Sequence, residues 1–207
     1  MADLEAVIFV VDDDASVREA VSNLLESVGF HTQVFRSTEE FRKAARPEIP
    51  SCLVLDVRLP GASGLEFQEE LSRAGIFIPI IFITAHGDIP MASRAMKRGA
   101  IEFLVKPFQK EDLMAAIRHG LERDRRRREE QGELFALQSR FEELTSRERE
   151  VLQFVVAGLT NKEAGAKLGI SEVTIKMHRG QVMHKMRAAS LADLVRMADR
   201  LIPKASE

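Results

Sequence analysis

The chain has 207 residues, of which 45% are hydrophobic and 30% are charged. This length favours two domains, and no apolar stretch reaches the roughly 20 residues of a membrane-spanning helix, so we expect a soluble, cytoplasmic protein without a membrane partner. A single cysteine, Cys52, excludes an internal disulfide and a cysteine-based zinc site. Residues 1–122 have 13 Lys/Arg and 19 Asp/Glu, a net charge of -6, whereas residues 144–207 have 11 and 7, a net charge of +4. This gradient makes nucleic acid a candidate partner for the basic rear part.

The front part alternates between predicted strands and predicted helices. Apolar runs predict strands at residues 6–11, 32–35, 52–55, 79–83 and 101–105. Helical spacing predicts helices near residues 15–28, 38–45, 64–73 and 89–98, with a fifth helix from Lys110. Because these strands are too apolar to face water on either side, the pattern indicates a parallel sheet covered by helices on both faces. Ligands of such sheets bind beyond the carboxyl ends of the strands.

Polar side chains follow four of these predicted strands. They are Asp12 and Asp13 after the first strand, Asp56 after the third, Thr84 after the fourth and Lys106 after the fifth. Clustered carboxylates repel one another, and a hard divalent cation such as Mg²⁺, with Mn²⁺ as a substitute, relieves this repulsion. Asp56 could then attack a phosphoryl group as a carboxylate nucleophile. Each residue alone fits a cap, a turn or a surface charge, but together they predict one pocket.

The pieces VVDDD, LDVRLPG, ITA and KPF follow one another in the order and spacing of a known family. Residues 5 to about 122 resemble the receiver domain of two-component response regulators, which implies a flavodoxin-like, doubly wound sheet of five parallel strands. The resemblance implies Asp56 as phosphoacceptor. It further implies Asp13, Asp56 and the Arg58 carbonyl as direct Mg²⁺ ligands, with Asp12 bound through water. Asp14 is expected to cap the next helix instead.

The same resemblance implies a conformational switch. Lys106 precedes a proline in an expected cis peptide bond, and its ammonium would neutralise a phosphoryl oxygen. Thr84 would move towards the phosphoryl group, which leaves room for Phe103, at the position of the family's switch aromatic, to turn inward. Phosphorylation by a sensor histidine kinase is then expected to produce a homodimer.

From residue 111 to residue 144 the chain has no strand signal. We predict one long helix, either unbroken or interrupted at Gly132, whose residues 123–141 form a linker. The run Arg125–Arg128 within it has two interpretations. It is either a solvated helix face balanced by the glutamates that follow, or a contact to DNA phosphates.

Four helices are predicted in the rear part. Thr145 opens the first and Gly158 closes it, residues 161–168 form the second before Gly169, Ser171 caps the third, and Ser190 starts the fourth. A helix, a glycine-containing turn and a longer helix are typical of a helix-turn-helix. In the third helix we expect apolar packing by Val173, Ile175, Val182, Met183 and Met186. Its polar part is expected to enter the major groove.

Residues 142 to about 203 resemble the LuxR-type helix-turn-helix of FixJ/NarL response regulators, on the segment LTSREREVLQFVVAGLTNKEAGAKLGISEVTIKMHRGQVMHKM. The resemblance implies an all-α domain of four helices in which Lys176, Met177 and Gly180 face the bases. It implies contacts to phosphates by Thr160, Asn161, Lys162, Thr174 and Lys185. Because Gly180 has no side chain, Arg179 or Gln181 is expected to contribute more of the base contacts.

These expectations define a phosphorylation-controlled transcription regulator. Its parts are a receiver domain at residues 1–122, a helical linker at 123–141 and a DNA-binding domain at 142–207. Phosphorylation of Asp56 is expected to control dimerisation and binding to promoter DNA, with RNA polymerase as a further partner and activation as the outcome. One alternative is a phosphorylation-independent DNA-binding regulator with a vestigial pocket. The other is an aspartyl-phosphate phosphohydrolase, which would need a second acid where the chain has Arg58.

Overall fold

A computed structural model describes residues 6–201, and these residues divide into two compact units between Arg128 and Glu129. We call residues 6–128 the α/β unit and residues 129–201 the helical unit. The predicted domain limits 1–122 and 142–207 extend beyond the described residues, because they include residues 1–5 and 202–207. Within the described part, no helix is both long enough and apolar enough to cross a membrane.

The α/β unit contains the predicted parallel sheet. Its strands are β1 (Val7–Val11), β2 (His31–Phe35), β3 (Ser51–Asp56), β6 (Ile80–Thr84) and β7 (Glu102–Val105). They pair in the order β2-β1-β3-β6-β7, and every pairing is parallel, which confirms the flavodoxin-like prediction. A short antiparallel ribbon of β4 (Arg58–Leu59) and β5 (Ala62–Ser63) follows β3.

Helices cover both faces of this sheet. They are α1 (Ala15–Glu26), α2 (Thr38–Lys43), α3 (Gly64–Arg73), α4 (Ile89–Lys97) and the beginning of α5 (Lys110–Glu142). Alternate residues of β1 point to opposite sides, so that Ile8 and Val10 pack with α1 and α5 while Phe9 packs with Phe41 and Phe67 of α2 and α3. The strands β1, β3 and β6 are buried on both faces, as predicted. The same prediction is wrong for the edge strands β2 and β7, whose residues are exposed or half-buried.

A buried carboxylate fastens α5 to the start of β3. The Asp124 side chain is 1% exposed and its Oδ2 accepts a hydrogen bond of 3.0 Å from the backbone N–H of Ser51. Arg127 and Arg128 form ion pairs of 2.6 and 2.7 Å with the same carboxylate. Arg126 pairs with Glu122 at 2.8 Å. The acids that balance this part of the arginine run therefore precede it, whereas the sequence suggested the glutamates that follow.

The helix α5 continues through Gly132, which removes the predicted alternative of a break there. A Cβ at this glycine would meet nothing within 4 Å. Gly132 therefore lowers the stability of the helix, and it is not needed to avoid a steric clash. The helix nevertheless remains continuous on both sides of this residue.

The helical unit follows the predicted plan. Its helices are α6 (Ser146–Val156), α7 (Asn161–Leu168), α8 (Glu172–Met186) and α9 (Leu191–Leu201), preceded by the end of α5. Gly158 and Gly169 end α6 and α7 with φ angles of 80° and 67°, which only glycine adopts without cost.

The packing of α8 corrects one expectation. Ile175, Val182 and Met186 are buried as predicted, but Val173 is 78% exposed. Two residues before Ile175 in a helix correspond to about 200° of rotation, so Val173 points away from the core that Ile175 enters.

Candidate functional site

The predicted pocket lies at the carboxyl edge of the sheet, between β1 and β3. Asp12 follows β1 directly and Asp56 is the last residue of β3, and they are 1% and 5% exposed. The strand order reverses its direction of growth at this point, which is where open parallel sheets bind ligands. Two carboxylates in such a buried position require a cation nearby.

Lys106 supplies that cation. Its Nζ lies 2.6 Å from Oδ2 of Asp12 and 2.8 Å from Oδ1 of Asp56, and its side chain is 19% exposed. The backbone of Lys106 is held beside β6, because its N–H donates to the Thr84 carbonyl at 2.8 Å. The Lys106–Pro107 peptide bond is cis, as expected. Three of the predicted pocket residues thus meet through a single ammonium group.

One lysine does not fully compensate two buried carboxylates. Burial raises the pKa of Asp56, and the hydrogen bond and charge of Lys106 offset this rise only in part. Burial alone would lower the pKa of Lys106, but its hydrogen bonds to Asp12 and Asp56 outweigh burial and raise this pKa. Lys106 therefore stays charged, and the pocket has excess negative charge that favours a further cation.

The remaining carboxylate contacts orient the two acids. The Arg58 N–H donates to Oδ2 of Asp56 at 2.5 Å, and the Asp14 N–H donates to Oδ1 of Asp12 at 2.9 Å. Asp14 itself caps α1 by accepting from the Ser16 N–H at 2.8 Å, as predicted. Asp13, which follows Asp12 in the chain, is exposed.

The donor set suits a hard cation, although the described residues do not form a closed metal site. No group of three His, Cys, Asp or Glu side chains within residues 6–201 is arranged to hold a metal ion. The oxygens of Asp12, Asp13 and Asp56 and the Arg58 carbonyl are nevertheless the ligand type that Mg²⁺ prefers, and few protein ligands are typical of Mg²⁺ sites. The residues therefore fit the implied ion.

Thr84 and Phe103 lie next to the pocket on neighbouring strands. Thr84 is fully buried at the end of β6, and its Oγ1 accepts from the His86 N–H at 3.3 Å. Phe103, half-buried on β7, contacts Phe82 with ring centroids 6.2 Å apart. A Cβ on Gly87 would lie 2.8 Å from the Phe103 ring and 3.3 Å from the Thr84 methyl group. The loop after β6 therefore covers both residues closely.

Two glycines at this site were missed by the sequence analysis. Besides Gly87, a Cβ on Gly64 would overlap the backbone carbonyl of Asp56. The N–H of Gly64 donates to the Val57 carbonyl at 2.9 Å, which brings the start of α3 against the pocket. Gly64 lies outside the quoted piece LDVRLPG, and its close approach to Asp56 depends on the path of the chain after β3.

The second candidate site is the exposed face of α8. At about 100° of rotation per residue, one stripe of this helix is exposed and points away from its core, and it consists of Val173, Lys176, Met177, Gly180, Gln181 and His184. The predicted base-facing residues Lys176, Met177 and Gly180 all lie on it. Val173 and His184 belong to the same stripe, and the sequence analysis had not assigned them to the site.

Other predicted DNA contacts are already engaged within the helical unit. Arg179 is half-buried and donates to the Asn161 side chain at 2.8 Å, off the exposed stripe. Lys185 pairs with the buried Glu148 at 2.7 Å and donates to the Glu143 carbonyl at 3.2 Å.

The remaining predicted phosphate contacts differ in how their side chains are used. The hydroxyl of Thr160 caps α7 by accepting from the Glu163 N–H, and that of Thr174 bonds to Ser171 at 2.8 Å. Lys162 is exposed at the start of α7. Of this group, only Lys162 presents a side-chain charge to solvent.

Comparisons with known proteins agree with this architecture. The family model for the response regulator receiver domain matches residues 8–118, and that for bacterial regulatory proteins of the luxR family matches residues 142–198. Nodulation protein W of Bradyrhizobium diazoefficiens is 53% identical over 200 residues, covering 97% of this chain and 88% of that protein. The transcriptional regulatory protein FixJ of Azorhizobium caulinodans is 44% identical over 191 residues, covering 92% and 90%.

A solved structure of the response regulator StyR has 49% sequence identity and a TM-score of 0.85, with 95% of this chain and 99% of that chain covered. The match of both family models in order, with relatives similar over nearly the whole length, accounts for the α/β pocket and for the helical unit together. The chain belongs to the two-component response regulators in which a receiver domain precedes a LuxR-type DNA-binding domain.

Proposed function

We propose that phosphorylation of Asp56 controls dimerisation and promoter binding by this response regulator. The observation that carries this proposal is the shared ion pair of Lys106 with the buried carboxylates of Asp12 and Asp56. A phosphoryl group on Asp56 adds about -1.5 to -2 units of charge and new acceptor oxygens beside this lysine. Modification of Asp56 therefore changes the partners of every group in the pocket.

Each residue has a defined part in the transfer. A carboxylate oxygen of Asp56 forms the bond to phosphorus while the bond to the donor's leaving group breaks. Lys106 neutralises one phosphoryl oxygen, and the Thr84 hydroxyl donates to another. Asp12, Asp13, Asp56 and the Arg58 carbonyl would hold Mg²⁺, or Mn²⁺ in its place, and a bound ion would supply positive charge beside the transferring group.

The response passes from Thr84 to Phe103. Thr84 is fully buried against the loop that contains Gly87, so movement of its hydroxyl towards the phosphoryl group changes the packing beside Phe103. The ring of Phe103 then turns inward. The surface of α4, β7 and α5 changes shape, and two copies of the chain associate through it.

The output is DNA binding by α8. Lys176, Met177 and Gln181 contact base edges in the major groove, with Gly180 allowing close approach, and Lys162 contacts phosphates. A sensor histidine kinase supplies the phosphoryl group, and the dimer recruits RNA polymerase at its promoters as an activator. Arg179 and Lys185 fix the position of α8 within the helical unit through their contacts with Asn161 and Glu148.

The test compares wild type, Asp56→Asn and the control Asp14→Asn, each with and without acetyl phosphate and Mg²⁺. Asparagine caps helices as well as aspartate does, so Asp14→Asn changes the charge next to the pocket and preserves the cap. Wild type and Asp14→Asn should gain mass from the phosphoryl group, dimerise and bind promoter DNA more tightly, whereas Asp56→Asn should do none of these. Equal DNA binding in all conditions would instead favour a phosphorylation-independent regulator.

A further inference from the structure

The exposed stripe of α8 contains two large apolar side chains. Val173 is 78% exposed and Met177 is 57% exposed. They are four residues apart, so their side chains lie on the same face one turn apart. Lys176 and Gln181 flank them on that face. The other side chains of the stripe are polar, so Val173 and Met177 would be removed from water on binding DNA only if the DNA presented an apolar group to them.

The major groove of DNA offers one such partner. Among the base edges exposed there, the 5-methyl group of thymine is the apolar feature, and apolar side chains contact it. We propose that Val173 and Met177 form an apolar strip that reads the 5-methyl groups of thymines. This inference rests on the proposed placement of α8 in the major groove.

Gly180 supports the same geometry independently. It is the next position on the stripe, and a Cβ there would meet nothing within 4 Å, so the packing of the protein does not require a glycine. Glycine in a helix costs about 1 kcal/mol relative to alanine. Close approach of a base edge or of the sugar-phosphate backbone to α8 would explain why a glycine stands at position 180. The same close approach would bring Val173 and Met177 to the bases.

The spacing of the pair sets the spacing of the methyl groups. Four residues advance a helix by about 6 Å, and successive base pairs are about 3.4 Å apart. The two thymines should therefore lie within about two base pairs of each other, on either strand. Val173 is β-branched with one preferred rotamer, whereas Met177 is flexible, so the thymine opposite Val173 should be the more strictly required one.

The experiment begins with the full-length chain, acetyl phosphate and Mg²⁺, and selects duplexes from a random DNA library. Each thymine of the selected site is then replaced by deoxyuridine, which removes only the methyl group. Loss of one buried methyl contact should weaken wild-type binding about fourfold at the sensitive positions. The same replacements are measured with Val173→Ala, Met177→Ala and, as control, Leu191→Ala, which truncates an apolar side chain 46% exposed on α9.

Each variant should lose the methyl effect at its own thymine, while Leu191→Ala keeps both effects. Because Val173 and Met177 are exposed, their truncation leaves the core intact. The inference is overturned if the affinity of the wild type is the same for the thymine and deoxyuridine duplexes. It is also overturned if both variants still bind the deoxyuridine duplexes more weakly than the thymine duplexes. Loss of the effect in Met177→Ala alone overturns the role of Val173. Failure to select any duplex would refute DNA reading by α8, and with it the proposed function.

Discussion

Replacement of Asp124 by alanine tests whether its carboxylate fastens α5 to β3. The change leaves the buried Ser51 N–H without its acceptor, which costs about 1–3 kcal/mol. It also removes two ion pairs to Arg127 and Arg128, whose side chains are 30% exposed, at about 1 kcal/mol each after solvent screening. The better helix propensity of alanine returns about 0.5 kcal/mol. We therefore expect a loss of about 3 kcal/mol in the stability of the α/β unit.

Native-state hydrogen exchange in the full chain measures this loss without assuming that both units unfold together. The amide of Ser51 should exchange much faster in Asp124→Ala, and the amides of β3 should follow. Glu122→Ala is the matched control, because it removes an exposed ion pair to Arg126 from the same helix and should cost at most about 0.5 kcal/mol. If both variants lose the same stability, or if the Ser51 amide is unchanged, the role assigned to Asp124 is wrong.

Three further changes test other parts of the structure. Gly64→Ala should abolish phosphorylation by acetyl phosphate, because its Cβ would displace the Asp56 carbonyl, and a fully phosphorylated variant in a mass assay would contradict this. Gly132→Ala should stabilise the chain by about 0.5–1 kcal/mol in urea unfolding, since the new methyl group meets nothing, and a loss of stability would exclude a simple helix there. Burial favours the neutral form of Glu148, but hydrogen bonds from Lys185 and Thr145 outweigh it and lower the pKa of this carboxyl. The ionised Glu148 carboxylate therefore stabilises the fold above the ordinary glutamate pKa, and this stabilisation disappears as pH falls through the lowered pKa. In Glu148→Gln, the free energy of unfolding should consequently fall less steeply as the solution is acidified. An unchanged acid limb would mean that the pair with Lys185 contributes nothing.

Local signals in the sequence were sufficient for most elements. Gly158 and Gly169 end helices because their left-handed backbone is a property of the residue itself, and Thr145 and Ser171 cap helices through contacts only three residues away. The pocket was predictable because parallel strands bring their carboxyl ends to one edge. The caps and helix ends depend on residues at most a few positions apart in the sequence. The pocket depends on the general arrangement of parallel strands in a sheet.

Contacts between distant residues were not predictable in this way. Ser51 and Asp124 are 73 positions apart, and nothing in the charged segment 122–130 shows that Asp124 becomes buried while Glu122, Glu129 and Glu130 do not. The pair of Lys185 with Glu148 was not foreseen, because the two residues are 37 positions apart. Val173 was expected in the core from its hydrophobicity alone, and its true orientation follows from its angular distance to Ile175.

The pairs Arg179–Asn161 and Lys185–Glu148 join α8 to α7 and to α6. If α8 enters the major groove as proposed, its orientation is therefore set when the helical unit folds, before DNA is present. Such preorganisation removes part of the entropic cost of association, so fewer base contacts are needed for a given affinity. It also limits the range of operators, because a helix held on two sides cannot rotate to accommodate an altered spacing of bases.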